Sequence, residues 1–386
     1  MFGILSVAKR ELWRMGRRRS YLWGMILVPL GVAAFFLSLL SEGLPLKVPS
    51  GVVDLDHSEM SRTITRSLQS NELVDVVQYA ESYDQAMAGV RRGETFGFFV
   101  IPANFESDAL GGRTPTLDYY SNLTYFVPGT FTFKGFKTVA VSTSGGVVRS
   151  TLSALGVPAE MSGNLLQPVV LDGHPLHNPW VNYSYYLTPS FAIGILGLMI
   201  MLMCVYSITT EIKMGTSPQW LAASRGNIVR ALLGKMVPHT VIFYIITLGV
   251  LWMMIGYRHF PMNGSLGWIL LGALLFVIAC QGFGLMVTCA LPNPRLALSV
   301  CSLFGILTFS FAGFSFPVTS MYGAIGVFSY LSPVRYFYLI YTNEALNGLP
   351  LYYSRLWYAA LLVFPFLPLP LLGRLRRACL NPVYVP

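Results

Sequence analysis

Six stretches of this chain carry no Asp, Glu, Lys or Arg and approach or exceed the length needed to cross a bilayer: residues 20–41, 187–210, 236–257, 266–291, 296–316 and 356–373. A helix covers ~30 Å of hydrocarbon with about 20 apolar residues, and no open irregular backbone is tolerated against lipid. The last stretch is the shortest and is broken by Pro365, Pro368 and Pro370; His239 is the one basic side chain in the six. With 54% hydrophobic and 11% charged residues, a soluble fold is excluded. The first stretch exceeds the apolar part of a secretory signal, and no small-x-small site follows in Glu42–Val48, so it is expected to be retained. The expected class is an α-helical polytopic membrane protein with six transmembrane helices and an extracytoplasmic α/β domain inserted after the first.

Lys and Arg set the orientation. With the N-terminus cytoplasmic, the inner segments are 1–19, 211–235, 292–295 and 374–386, and they hold 14 basic residues in about 60 positions. The outer segments hold the other 12 in roughly 190 positions. The even number of spans returns the C-terminus to the cytoplasm. The net charge of +9 is therefore mostly a topology signal, and segment 42–186, with 9 basic and 14 acidic residues, offers no nucleic-acid surface. Residues 1–19 place Ile4, Leu5, Ala8, Leu12 and Met15 at helical spacing, with Trp13 beside them and Lys9, Arg10, Arg14 and Arg17–Arg19 supplying charge. This predicts an amphipathic helix on the inner leaflet.

Segment 42–186 alternates strand and helix signals. Strands are expected at Val52–Leu55, Val74–Tyr79, Phe96–Ile101, Thr116–Tyr120 and Val169–Leu171. Helices are expected from Ser58 to about Ser70, from Ser82 to Arg92 with Gly93 as the stop, and over 125–156. The cluster Asp54, Asp56, His57, Ser58, Glu59 is read as a strand–turn–helix cap rather than a metal or hydrolytic site. Cys204, Cys280, Cys289, Cys301 and Cys379 show neither zinc spacing nor a disulfide framework, and no metal site is expected.

Several motifs share one family resemblance. They are Val53-Asp54-Leu55-Asp56-His57-Ser58, Gly89-Val90-Arg91-Arg92-Gly93 and Phe98-Phe99-Val100-Ile101-Pro102 in the domain, and Asn178-Pro179 and Leu187-Thr188-Pro189 before the second span. Glu211-Ile212-Lys213-Met214-Gly215-Thr216 and Gln219 to Ser224 follow that span, and Phe311 to Pro317, Leu331-Ser332-Pro333 and Tyr336 follow the fifth. With the order of one span, a large outer domain and five more spans, the chain resembles type-2 ABC exporter permeases, specifically the bacterial inner-membrane subfamily with a periplasmic domain. It departs from the family pattern at Lys213, Met214 and Gln219, where acidic residues are usual.

The resemblance implies a permease subunit with no ATPase of its own. Consistently, no G-x-x-x-x-G-K-[ST] occurs, since Gly234-Lys235 is followed by Met236. ATP and Mg would bind on two partner ABC ATPase subunits. A second permease copy or sister permease is implied, and a periplasmic adaptor and outer-membrane channel are possible further partners. Location would be the bacterial inner membrane. Glu211, Gly215, Thr216, Trp220, Leu221 and Ala222 are expected to couple to the ATPase, with Trp220, Leu221 and Ala222 entering a groove on it. Gly194, Gly197, Gly282, Gly284, Ser299, Ser302 and Thr308 are expected to line a cargo path or dimer interface. Residues 317–355 are expected to form a re-entrant hairpin marked by Gly313, Pro317, Pro333, Arg335 and Glu344, with Arg335 and Glu344 as an ion pair. Spans without buried charge favour an apolar or amphipathic cargo over an ion. An ion-driven secondary transporter, or a membrane-anchored sensor or adhesin working through 42–186, are the alternatives.

Overall fold

The computed structural model of the chain describes residues 2–158, 161, 176–178, 181–314 and 316–382. It divides into two compact units, 1–43 with 175–386, and 44–174. The first unit opens with α1 (Phe2–Arg17) and α2 (Arg19–Leu39). The second unit runs β1 (Val48–Asp54), α3 (Glu59–Ser70), β2 (Val74–Ala80), α4 (Tyr83–Arg92), β3 (Gly97–Ile101), α5 (Phe105–Leu110), β4 (Asp118–Ser121) and α6 (Phe126–Ala154). The first unit resumes with α7 (Tyr183–Lys213), α8 (Ser217–Ala223), α9 (Ile228–Tyr257), α10 (Leu266–Ala290), α11 (Pro294–Phe311), α12 (Gly323–Ser329), α13 (Pro333–Ile340) and α14 (Leu351–Leu380).

Among the described residues, six helices are long and apolar enough to cross a membrane: α2, α7, α9, α10, α11 and α14. The expected polytopic helical class is thereby borne out. The helix α7 is the hub and packs against α2, α10 and α11. Its most apolar stretch is 72% buried inside the chain against 22% in α2 and α14, so the outer helices leave apolar faces such as Phe35, Leu303 and Leu362 uncovered. In lipid those faces need no protein cover. The helix α2 widens to a π turn over Leu22–Leu27, where Val28 N–H reaches back to the Trp23 carbonyl. Pro29 follows, has no N–H to give and would press on the carbonyl four residues earlier, which the wider turn relieves.

In three places the structure carries detail that the sequence reading lacked. The helices α7 and α9 run past the edges of their apolar stretches, α7 continuing through Lys213 and α9 beginning at Ile228, so Glu211 and Lys235 are helical and buried, whereas α11 stops at Phe311, short of the expected 316. The helix α1 forms, but Val7, Glu11, Arg14 and Met15 face the bundle while Leu5, Leu12 and Trp13 point away. Its inward side is the charged one because its partners there are charged. Finally, 317–355 holds α12 and α13, α13 continuing into a π turn over Tyr341–Leu346 before α14 begins; α13 packs among α7, α10 and α14 and buries Val334, Phe337 and Ile340.

The second unit is a four-stranded mixed sheet of order β2-β1-β3-β4, with β1 parallel to both β2 and β3, and β4 antiparallel to β3. Val52, Phe99 and Ile101 pack with Ile64, Leu68, Phe105 and Phe136 on one face; Val53 and Phe98 pack with Ala86 on the other. Both faces are covered, which is why β1 and β3 read as apolar runs rather than alternating ones. Ser58 and Ser82 accept from Ser61 N–H and Gln85 N–H as N-caps, and Gly93 ends α4 in the left-handed region at φ 75°. Asp54 accepts from the backbone N–H of Asp56 and His57 and from the Ser61 hydroxyl, so this cluster closes a turn as expected. The helix α5 was not foreseen; at six residues it is too short to carry a periodic signal. The strand expected at Val169–Leu171 lies outside the described residues.

Candidate functional site at the helix between α7 and α9

The chain leaves α7 through a tight reversal. Gly215 takes φ 67°; its N–H reaches the Ile212 carbonyl, and the Thr216 N–H reaches the Glu211 carbonyl. These are the paired bonds of a Schellman cap, and the left-handed position is what glycine is needed for. The seven-residue α8 follows at once. It is pinned from within: the Ser217 hydroxyl donates to the Cys379 carbonyl at 2.9 Å, and Trp220 and Leu221 are buried among Val7, Ile208, Ile212, Ala231 and Leu375. The Asn227 side chain then caps α9, accepting from Val229 and Arg230 N–H.

Trp220 and Leu221 therefore do not project toward a partner; their own bundle has claimed them. The outward side of α8 consists of Pro218, Gln219 and Ala222, flanked by Met214, Gly215, Arg225 and Gly226.

Beside α8 lies a buried ion network. Lys235 Nζ donates to Glu11 Oε2 at 2.5 Å and to Glu211 Oε1 at 3.1 Å. Arg10 grips Glu211 with both terminal nitrogens, at 3.0 and 2.9 Å, and Arg14 and the Thr216 hydroxyl donate to the same carboxylate. His239 Nε2 meets Glu11 Oε1 at 3.1 Å, and the Tyr21 hydroxyl donates to it at 3.2 Å. Glu11, Glu211, Lys235 and His239 are all essentially inaccessible. Burial alone would raise the Glu11 carboxyl, but the His239 hydrogen bond and the Lys235 ammonium outweigh it and hold the group down at about 2. Lys235 also lies 5.3 Å from the centroid of the Trp220 ring, joining the network to α8. At Gly234 a side chain would strike the Ile4 carbonyl and Val7, so glycine there lets α1 cross α9 closely. The network thus fastens α1, α2, α7 and α9 to one another beneath α8. Its two carboxylates are both engaged by cations and hydrogen-bond donors, so the arrangement ties the positions of these helices together.

Of the foreseen residues, Glu211, Gly215, Thr216, Trp220 and Leu221 come together here. The sequence reading missed Glu11, Arg10, Arg14, Lys235 and His239 as members. A signal existed: outside 42–186 the chain has only Glu11, Glu211 and Glu344 as carboxylates, and scarce intramembrane or juxtamembrane acids ask for named partners.

The remaining foreseen residues lie elsewhere. Gly194 abuts Phe309, Gly197 abuts Val334 and Phe276, Gly282 abuts the Phe364 backbone, and Gly284 abuts Met201 and Cys204. They serve packing within the chain and are not surface. Thr308 is buried and donates to the Phe304 carbonyl, while Ser299 and Ser302 sit on the outer side of α11 in a shallow groove with Leu202, Leu298 and Ile306. Arg335 and Glu344 are not paired. Arg335 donates to the Ala312 carbonyl at 2.9 Å, next to Gly313 at φ 93°, and Glu344 is buried against the Tyr358 hydroxyl at 3.0 Å. Pro333 opens α13, and Pro317 precedes a single 3-10 turn.

Two curated relatives are similar to this sequence: the proteins named probable multidrug ABC transporter permease YbhR in Escherichia coli strain K12 and in Escherichia coli O157:H7. Each is 24% identical over 221 residues, covering 52% of this chain and 59% of the relative. Residues 19–372 match the profile of the family described as ABC-2 family transporter protein. With the match extending over nearly the whole chain, from α2 into α14, the protein belongs to the ABC-2 family of transporter proteins.

Proposed function

We propose that this chain is the transmembrane permease subunit of an ATP-binding-cassette exporter. It moves an apolar or amphipathic cargo out of the cytoplasm or inner leaflet, and a separate ATPase subunit drives it. The observation that carries the reading is α8: a short helix with its inner face locked by Trp220, Leu221 and Ser217, its outer face exposed, and its base beside ion pairs that join α1, α7 and α9. Push on the outer face reaches α7 through Glu211 and α9 through Lys235 without passing through a flexible joint. In this reading the ATPase meets Pro218, Gln219 and Ala222, both termini are cytoplasmic, and a second permease copy or sister subunit completes the path. The relatives' name, with its multidrug permease, agrees with an amphipathic cargo.

The test is site-directed crosslinking. Gln219→Cys and Ala222→Cys, in membranes holding the partner ATPase, should crosslink to it, whereas Ile228→Cys, which is buried, should not. Crosslinking from neither exposed position would remove the ATPase from this face.

One observation favours a proton-driven alternative, namely the buried Glu11–His239 contact, because the spans do carry charge at one end after all. Beyond His239, however, α9 has no further Asp, Glu, Lys or His within its length. A proton relay would need such groups. Transport that persists without a pH gradient but requires ATP separates the two.

A further inference from the structure

The helices α1 and α2 meet at an elbow. Arg18 breaks the helix there with extended backbone (φ −105°, ψ 115°). Inside the elbow lies a cavity of about 350 Å³, within the range of small-molecule sites. Its wall is apolar, formed by Met15, Met25, Ile26 and Ile242. Its rim is three consecutive arginines, Arg17, Arg18 and Arg19. Among the described residues no carboxylate pairs with any of the three, and Arg17 lies over the Trp13 ring at 3.7 Å. Exposed Leu12 and Leu22 also line the cavity and extend its apolar surface.

We infer that this elbow is a binding site for one anionic phospholipid, its phosphate held by Arg17–Arg19 and an acyl chain laid along Met25, Ile26 and Ile242. Charge complementarity calls for an anion, and the apolar wall calls for a tail, which a free phosphate lacks. Tyr21 also lines the cavity and donates to Glu11. A seated lipid would therefore brace α1 against α2 at the edge of the ion network. The inference does not rest on the exporter reading.

Gly16 provides a way to test it. This residue lines the cavity, and a Cβ built there meets no atom within 4 Å. Gly16→Phe thus fills the space while keeping every charge. The purified full chain in detergent is titrated with dioleoyl phosphatidylglycerol or dioleoyl phosphatidylcholine. Bound lipid is counted by native mass spectrometry, with glycerol 3-phosphate as competitor. Wild type should bind the anionic lipid in preference, and glycerol 3-phosphate should not displace it. Gly16→Phe should abolish the preference. Replacing all three arginines with glutamine should weaken binding on the order of 100-fold, at about one kcal/mol per cation near an anionic surface. If the triple variant does not insert, Gly16→Phe decides alone. Equal binding of the two lipids, unchanged selectivity in Gly16→Phe, or full displacement by glycerol 3-phosphate would overturn the assignment; unchanged selectivity would mean a diffuse basic surface.

Discussion

Lys235→Met should be among the most damaging single changes that leave the membrane spans themselves intact. The methionine keeps the volume of the stem and removes the ammonium that bridges Glu11 and Glu211. Glu211 retains Arg10 and Arg14, so its loss is modest. Glu11 retains only the His239 and Tyr21 hydrogen bonds. Stripping one partner from a buried pair costs about 3–5 kcal/mol, chiefly through the charge left behind. The surviving contacts place this case near the lower end, about 3 kcal/mol. Removing the stranded charge as well, in Glu11→Gln with Lys235→Met, should recover most of it, since a neutral pair of similar shape is nearly indifferent. The measurement is SDS-titrated unfolding in mixed micelles for wild type, both single variants and the double, read as a double-mutant cycle. A coupling below about 0.5 kcal/mol, within ordinary additivity error, would mean that Lys235 is solvated and that the network transmits nothing.

Two other outcomes follow from the same geometry. Glu11 titrates at about 2 in the folded chain against an ordinary 4.5, so its contribution, about 3 kcal/mol, is complete above pH 4.5 and drains away as pH falls toward 2. Protease accessibility of α1 should rise across that window and, in Glu11→Gln, show no such step. Gly215→Val forces a β-branched residue into the left-handed region and should destabilise the α7–α8 turn by about 1–2 kcal/mol, reducing ATPase association measured by copurification while leaving membrane insertion unchanged.

Much of this architecture was legible because membrane spans are specified by what they exclude. Runs without charge located six helices, and Ser58, Ser82 and Gly93 located the ends of two helices in the inserted unit. What escaped was the partnering of the charged side. The pattern of α1 gives Leu5, Leu12 and Trp13 to the membrane surface, and they do point away from the bundle; it does not say that Glu11 and Arg14 turn inward to meet Glu211, Lys235 and His239. Trp220 and Leu221 misled for a related reason. A short apolar helix in a connecting segment suggests a partner's groove, yet pattern alone does not say whether the groove belongs to a partner or to the same chain. The glycines of α7 and α10 signalled close packing correctly, but not against which neighbour.

Glu11 and Arg14 emerge early from the ribosome, while Lys235 and Glu211 follow 224 and 197 positions later. During biogenesis the leading helix must therefore wait at the membrane surface, its charges hydrated, until the third span has been inserted. A nascent chain stopped short of Lys235 has a carboxylate with no ammonium to receive it. Docking of α1 thus cannot precede insertion of the third span, and the pairing of Glu11 with Lys235 makes it a readout of how far assembly has advanced.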